Sequence, residues 1–305
     1  MKKRRFVLSI PGDTLYLRAQ TAAATEAAQR LSVELQVVSA GMDAVAQGQR
    51  LLEFVQAGSE LRPDGILLEP VNATGLPRVA EAAVAAGIGW VVSNAQVEYL
   101  GALRSKAKAP VFLLSQDHPE VGQIQGRQIA AVLPEGGAVL YLRGPATSSV
   151  ASRRQEGLES ARPRNVELKI LKVQGSTAED AFKTVSSWLS LSTVRPESTQ
   201  LVAAQNADFI YGARKAFEVN TGETHRAKWL ALPCVGVGVA SQVKTLVDQG
   251  TLSGAVLTSL TMDRAMEMLV KGMKDGSQPP EQTYVGAESY PSVPELVNKK
   301  RTLTT

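Results

Sequence analysis

Thr199 to Phe217 reads TQLVAAQNADFIYGARKAF. Leu201 to Ala204 is an apolar run with the length of a buried strand. Gln205, Asn206 and Asp208 interrupt it, and Phe209, Ile210, Ala213, Ala216 and Phe217 then recur at helical spacing. The stretch is therefore a strand that stops, a polar turn and a helix that starts. Asn206 suits the N-cap, because its side-chain oxygen can accept an orphan N–H of the first turn. In an open parallel sheet ligands bind at the carboxyl ends of the strands. Gln205, Asn206 and Asp208 thus stand where a small polar molecule can be held. Capping alone also accounts for Asn206, and Asp208 also suits support of the first helical turn.

The same unit recurs on both sides of this stretch. Upstream, strands are expected at Phe6–Ile10, Val33–Val38, Ile66–Leu68, Ile88–Val92 and Val111–Leu114. Helices alternate with them over Thr14–Leu31, Ala44–Ala57 and Leu76–Ala86, the second with Val45, Leu51, Leu52 and Phe54 on one side. Gln96 to Lys108 breaks the rhythm, and polar Ser115 to Pro119 reads as a crossing between domains. The alternation restarts with a helix over Glu120–Leu133, a strand at Ala138–Leu142 and a helix over Ser148–Ala161. A strand at Val166–Val173 and a helix over Ala178–Leu191 lead into the quoted stretch. After it come strands at Trp229–Val235 and Ala255–Leu257, helices over Ser241–Asp248 and Met262–Lys274, and a last short strand at Thr283–Gly286. Val297 to Thr305 reads as weakly ordered. Strand–helix alternation with short links implies right-handed βαβ units and parallel sheets covered on both faces. Two successive runs of it imply an α/β chain with two similar doubly wound lobes.

Composition narrows the chemistry. The chain has 305 residues, of which 44% are hydrophobic and 20% charged, as in ordinary globular domains. Its net charge of +4 is spread along the chain, and the densest basic runs, Lys2 to Arg5 and Lys299 to Arg301, lie at the ends. No zinc spacing or RNA-binding aromatic motif accompanies them, so no nucleic-acid partner is expected. One cysteine, Cys234, excludes an intrachain disulfide, and with only His118 and His225 beside it a Cys/His zinc site has too few ligands. Cys234 lies in an apolar run and reads as buried and inert. His118 beside Pro119 reads as a surface hinge residue. Met1 to Arg5 has the charge of a signal-peptide start. The apolar run Phe6 to Ile10 is too short for one and ends at Pro11-Gly12, so no signal peptide is expected in this chain.

Gly236 to Ser241, GVGVAS, approaches the Gly-x-Gly-x-x-Gly dinucleotide fingerprint and reads as following a strand and opening a helix. The third glycine is Ser241, and no acidic residue ends a strand about twenty positions on, as ribose recognition requires. A nicotinamide cofactor is therefore not expected, and an oxidoreductase stays a remote alternative. No Gly-x-Ser-x-Gly elbow, metal cluster or nucleophile–base pair is legible, so no catalytic residue or metal ligand is assigned.

Four segments together resemble the type I periplasmic binding protein family, in its sugar-binding branch, which includes ribose-binding protein. The same fold forms the effector domain of LacI-type repressors. The segments are the first strand, turn and helix with Leu15 and Tyr16; PDGILLEPVNATGL to AAGIGWVVSNAQ, Pro63 to Gln96; SQDHPEVGQIQGRQIA, Ser115 to Ala130, with Asp117, Gly122 and Gly126 at the family spacing; and the pair TSSVASRRQEG and LVAAQNADFIYGA, followed by LPCVGVG and GTLSGAVLTSL. The resemblance implies a ligand cleft between two lobes that close on a three-crossing hinge, near Gln116 to Pro119, Thr258 and Gly286. It implies an N-terminal lobe of residues 1–117 with 259–286 and a C-terminal lobe of residues 118–258 with 287–305. The family's pocket positions fall on Asp13, Leu15, Tyr16, Asn94 with Ala95, Asp117, Arg153 or Arg154, Asn206, Gly238 and Thr258. Adjacent helical residues face differently, so at most one of the two arginines points into the cleft, and Arg154 is favoured. Carboxylates, amides and a guanidinium suit sugar hydroxyls, which both donate and accept. Tyr16 can pack on the C–H face of a sugar ring.

The resemblance implies a solute-binding protein for ABC import or sensing, periplasmic, without a cofactor, and expected to be a monomer. An ABC permease or a membrane sensor is the implied partner. Sugar binders of the family carry Asp, often followed by Arg, where this chain has Asn94-Ala95, and another Asp where it has Gly238. An aromatic is common near Thr177, and none stands there. Two anchoring charges are thus absent at their usual places, so a sugar derivative, a cyclic polyol or another small polar molecule is expected rather than a simple ribose-like ligand. The alternative is the ligand-sensing domain of a LacI-type regulator without its DNA-binding part, which would be cytoplasmic. Against it, only Met1 to Arg5 precede the first strand. Asn206 in the second lobe is expected to occupy the topological position of Asn94 in the first.

Overall fold

The computed structural model describes residues 3–72 and 74–304. Met1, Lys2, Ala73 and Thr305 lie outside them, and with them the start of the basic N-terminal run and the last residue of the segment read as weakly ordered. The first elements are β1 (Arg5–Ile10), α1 (Leu15–Leu31), β2 (Glu34–Ser39), α2 (Ala44–Gln56), β3 (Gly65–Leu68), α3 (Pro77–Ala85), β4 (Gly89–Ser93), α4 (Leu100–Arg104) and β5 (Val111–Gln116). There follow α5 (His118–Val132), β6 (Gly137–Arg143), α6 (Ser149–Ala161), β7 (Val166–Lys172), α7 (Ala178–Leu189), β8 (Leu201–Ala204), α8 (Ala207–Asn220), α9 (Glu223–Leu230), β9 (Cys234–Val239), α10 (Ala240–Asp248) and β10 (Gly254–Thr258). The last are α11 (Met262–Asp275), β11 (Gln282–Val285), β12 (Glu288–Tyr290) and α12 (Val293–Thr304).

The chain forms two compact units, Met1–Gln116 with Leu260–Val285, and Asp117–Ser259 with Gly286–Thr305. Each holds one six-stranded sheet, in the orders β2-β1-β3-β4-β5-β11 and β7-β6-β8-β9-β10-β12. All pairings in the first are parallel. In the second only β12 runs antiparallel, on the outer side of β10. The doubly wound architecture expected from the alternation is therefore present twice, with matching strand order. Its physical origin is burial of both faces: β3 (GILL), β4 (GWVVS), β5 (VFLLSQ) and β8 (LVAA) are buried at every position, as strands covered by helices on both sides must be.

In the first unit Leu51, Val79, Ile88 and Trp90 fill the layer under α2, α3 and α4, and Leu17, Ala24, Met262, Met266 and Leu269 fill the layer under α1 and α11. In the second, Phe209, Phe217, Trp229 and Val243 pack one face, and Ile129, Leu158, Val139 and Tyr141 the other. Each fully buried large apolar side chain among these contributes about 1.5–3 kcal/mol relative to exposure.

Three sequence expectations fail, each because of the partners that the residues meet in the fold. Trp229 lies in the last turn of helix α9 instead of starting a strand. It stacks on Phe217 (5.0 Å between centroids, 14°) and meets Trp188 edge-on (5.5 Å, 72°). The strand begins only after Pro233, which has no N–H for a central ladder. Val45 is 68% exposed, while Gln47 is buried in its stead. The Gln47 amide donates to Ser9 Oγ and Glu69 O, both at 3.0 Å, and accepts from Val71 N at 2.8 Å. Its burial is thus offset by hydrogen bonds that an apolar pattern does not reveal. Residues 297–304 continue helix α12. The last strand is β12, three residues after β11, with a length too short for a periodicity signal.

Helices α5 and α6 cross without room for a side chain. A Cβ on Gly122 would sit 2.0 Å from the Arg154 carbonyl oxygen, and one on Gly157 2.0 Å from that of Pro119. This contact fixes the first turn of α5 against the turn of α6 that carries Arg154. Gly122→Ala is expected to destabilise the protein by about 3 kcal/mol, the upper range for overpacking. The control Gly58→Ala, exposed and with a Cβ that would meet nothing within 4 Å, is expected to stay within about 0.5 kcal/mol. Chemical denaturation of both variants checks the pair.

Cys234 opens β9 and is buried. Burial pushes its thiol pKa up to about 11, against a weaker lowering pull from Arg214. At pH 8 the thiolate fraction is then about 10⁻³. A disulfide-exchange thiol reagent at pH 8 is expected to leave the native protein unmodified and to modify one thiol per chain in denaturant.

Candidate functional site

In a sheet of order 2-1-3-4-5 the loops leaving the first and third strands diverge to opposite faces, and the crevice they leave is the usual ligand position. Here those crevices lie beyond β1 and β3 in the first unit and beyond β6 and β8 in the second.

In the first unit Asn94 follows β4 with φ 53°, a left-handed backbone that Asn tolerates better than most side chains. Its Nδ2 donates to the Tyr16 hydroxyl and, at 3.2 Å, to Glu69 Oε2. Its Oδ1 accepts from Gln116 N at 3.2 Å. Both amide hydrogens of Asn94 are therefore engaged inside the unit. The residue orients Tyr16 and Glu69 at the strand ends, leaving one lone pair of Oδ1 as its own acceptor capacity. Tyr16 also receives a hydrogen bond from Gln20 Nε2 at 2.5 Å. Gln20 is tied in turn to Thr261 N and Met262 N at 3.0 and 3.1 Å, and Thr261 Oγ1 lies 2.9 Å from Ser93 Oγ. This buried network fixes the start of α1 relative to β4.

Glu69, directly after β3, joins this network and was not singled out by the sequence reading. It lay within the segment quoted for the family resemblance, and its place directly after a buried strand was the available signal. It supplies a carboxylate beside the position where the resemblance expects Asp and the chain has Asn94. The other first-unit candidates stand apart from this network. Asp13 is exposed and gripped by Arg18, whose Nε and Nη2 donate to its two oxygens at 2.6 and 2.9 Å. That hydrogen bonding holds the Asp13 carboxyl below its ordinary range. Leu15, the first residue of α1, is 43% exposed.

In the second unit Asn206 caps α8, accepting from Phe209 N at 2.9 Å, and Asp208 sits in the first turn. The register relates Asn206 to a different residue of the first unit than expected. Glu69 N donates to Ser9 O, and Gln205 N donates to Leu142 O, in the same place of each sheet. Asn206 therefore corresponds to Pro70, whereas Asn94 follows the fourth strand and corresponds to Gly238. The error arose from counting polar strand ends without the strand order.

Gln205 is buried and fully used. Its Nε2 donates to Tyr141 Oη and Ala151 O, both at 2.8 Å, and its Oε1 accepts from Gly144 N at 2.9 Å. Arg154 Nη1 donates to Gln205 O at 2.6 Å, and Arg154 Nε to His118 Nδ1 at 3.4 Å. Of the two adjacent arginines it is thus Arg154 that turns toward the strand ends. His118, expected at the surface, is buried, because the α5–α6 crossing closes Arg154 over its ring. Accepting at Nδ1 requires the unprotonated nitrogen there. Asp117 caps α5 through Glu120 N at 3.0 Å. Burial raises the Tyr141 phenol pKa, against the lowering effects of the Gln205 hydrogen bond and of nearby Arg154 and Arg143.

Gly238 lies inside β9, not in a turn, and a Cβ there would stand 2.7 Å from Val243 Cγ1 and 3.7 Å from Ala207 Cβ. The GVGV residues are therefore the strand itself, and the helix opens at Ala240. Thr258 is the buried last residue of β10. The structure thus brings Tyr16 and Asn94 together with Glu69, and Arg154 to the Gln205 carbonyl that precedes Asn206. It leaves Asp13 in an exposed ion pair and gives Gly238 no side chain to contribute.

Among the described residues no group of three or more His, Cys, Asp or Glu side chains could hold a metal ion, and no helix is long and apolar enough to cross a membrane. Comparison with known proteins adds the family. The chain matches the family model for the periplasmic binding protein domain over residues 5–276. No curated protein matches it. Among solved structures it resembles a galactofuranose binding protein, with 20% identity, TM-score 0.79 and coverage of 98% of this chain and 99% of that one. It also resembles an ABC transporter solute binding protein from Bacillus halodurans with bound myo-inositol, with 17% identity, TM-score 0.78 and 98% of both chains covered. A third is a periplasmic solute binding protein from Actinobacillus succinogenes with bound D-allose, with 16% identity, TM-score 0.79 and coverage of 97% and 100%.

Asn94→Asp keeps a side chain that tolerates the left-handed backbone but sets a second carboxylate beside Glu69, 3.2 Å away where the amide donated. Like charges at that distance raise one folded-state pKa above its unfolded value. The variant is expected to lose about 1–2 kcal/mol at pH 8 and to recover as pH falls through the raised pKa toward 5. Thermal melts of wild type and variant across pH 5–8 read the difference.

Proposed function

The chain belongs to the periplasmic binding protein domain family, and from that premise we propose that it is a non-catalytic solute-binding protein for a small polyhydroxyl ligand. The observation that carries the reading is the placement of polar side chains at successive strand ends of both sheets, over otherwise apolar units. Tyr16, Asn94 and Glu69 serve one edge, and Asn206 and Arg154 serve the other. An aromatic hydroxyl, a carboxylate, an amide and a guanidinium together match the mixed donor and acceptor character of sugar hydroxyls. The names of the structural neighbours, which include galactofuranose, myo-inositol and D-allose binders, agree with a sugar or cyclic polyol. Capture works by differential contact: a ligand engaged by both edges favours the closed state by the free energy of the contacts made only there. The chain crosses between the units at 116–117, 259–260 and 285–286, and those crossings are the hinge in this reading. The protein acts outside the cytoplasm, as a monomer, delivering its ligand to an ABC permease or reporting it to a membrane sensor.

Scattering and thermal melts over a panel of aldoses, furanoses and inositols test this. At least one compound is expected to raise Tm and reduce the radius of gyration, and a panel without either effect overturns the reading. Asn206 gives a sharper probe. Its oxygen caps α8, while its Nδ2 has no partner among the described residues. Asn206→Asp keeps a cap of equal quality and removes the donor. The variant is expected to retain its Tm and to bind the identified ligand about tenfold more weakly, the loss of one hydrogen bond. Equal affinity at equal Tm reduces Asn206 to a plain cap.

A further inference from the structure

Arg143 is the last residue of β6, at the crevice between β6 and β8, and it is 6% exposed. Among the described residues its guanidinium meets only neutral acceptors. Nη1 donates to Gly144 O at 3.2 Å and Pro145 O at 3.3 Å, and Nη2 to Ser152 Oγ at 2.8 Å. Its Nε is buried and has no partner among the described residues. A guanidinium stays charged under all ordinary conditions, so a full cation is buried at a strand end without a carboxylate. Buried charges are ordinarily paired, because desolvation is otherwise uncompensated.

The surroundings increase the positive potential. Helix α6, of 13 residues, starts at the loop that Arg143 underlies, with Ser148 as its cap. Helix α8, of 14 residues, starts beyond the neighbouring strand at Asn206. Each N-terminus adds roughly half a positive charge and first-turn N–H donors. Arg154 reaches Gln205 O at the end of β8, and Gln205 Oε1 accepts from Gly144 N. The two guanidiniums thus flank one loop, and Tyr141 feels the charge of both.

We propose that the β6/β8 crevice of the second unit is a subsite for an anionic group, and that the ligand is a polyhydroxyl compound bearing a carboxylate or phosphate. Arg143 and the α6 N-terminus hold the anion, and the hydroxyls are left to the neutral and acidic side chains described above. The inference rests on the solute-binding reading and deepens it by naming the ligand class.

Calorimetry compares each neutral sugar with its uronate, aldonate and phosphate on the wild-type protein. One acidic compound is expected to bind at least about tenfold more tightly than its neutral parent, the value of one charge-assisted hydrogen bond, and to weaken with added chloride. Which acid binds separates carboxylate from phosphate. Inorganic sulfate and phosphate, against chloride at equal ionic strength, give a probe independent of the sugar, and each is expected to raise Tm. Arg143→Gln is expected to abolish that rise and to weaken the acidic ligand about 30-fold, while changing the neutral parent less than about threefold. Arg143→Lys, which keeps the charge without the planar fork, is expected to fall between, and it serves if the Gln variant does not fold. A neutral parent that binds as tightly as its acid overturns the anionic subsite and leaves the solute-binding reading standing. Failure of every polyhydroxyl compound, acidic or neutral, removes that reading and the subsite with it. A Gln variant that melts earlier yet keeps the preference for the acid makes Arg143 a strut for the loop and overturns the assignment.

Discussion

Burial of both faces of two parallel sheets is the constraint on which the rest depends. Strands such as GILL and LVAA can be covered by helices only if every inward position is apolar. Polar chemistry is then excluded from the strand bodies and collects where the backbone leaves the sheet. At those ends the side chains serve the fold as well as any ligand. Thr14, Asp117, Ser148 and Asn206 cap α1, α5, α6 and α8, and Gln205 ties β6 and β8 to α6.

Precision at the strand ends comes from packing rather than from the polar groups themselves. Gly122 and Gly157 allow α5 and α6 to touch backbone to backbone, which sets His118 under Arg154. In the first unit Gln20 plays the corresponding part through hydrogen bonds, joining α1 to the residues before α11. Both arrangements limit the rotamers open to the side chains they support, so a site built on them loses little conformational freedom on binding.

Much of this was legible in the sequence. Apolar runs of four to six residues followed by a polar pair and an Ala-rich helix marked nearly every element, because strand burial and helix capping are local properties. Trp229 was misread because its helix is held by aromatic contacts to Phe217 and Trp188 that join distant segments. The short strand β12 owes its place to pairing with β10. In the candidate site, Asn206 was legible from its strand end, whereas Tyr16 and Arg154 were named through the family resemblance. Glu69 was missed because the expected carboxylate belonged after β4 and stands here after β3, and only the sheet order makes those two ends neighbours. Strand order is a long-range property, and the false equivalence of Asn94 with Asn206 has the same cause. Gln47 and Arg143 escaped notice because a polar residue in an apolar pattern signals its purpose only through the partners it meets.

The two edges differ in charge, and that difference bears on what the fold tolerates. In the first unit a carboxylate, Glu69, is met by the amide of Asn94. In the second a buried guanidinium is met by two carbonyls and a hydroxyl, and its Nε–H meets no partner among the described residues. Carbonyl dipoles offset part of the desolvation of a cation, but helix N-termini of the same sign work against them. The unliganded second unit therefore carries an electrostatic cost that an anion relieves. By linkage, an anion bound only to the folded protein stabilises it, so a group that weakens the empty protein becomes a source of affinity. In the anionic-subsite proposal a neutral ligand gains nothing from this arrangement, and the charge of Arg143, more than any hydroxyl contact, is then what discriminates among polyhydroxyl compounds.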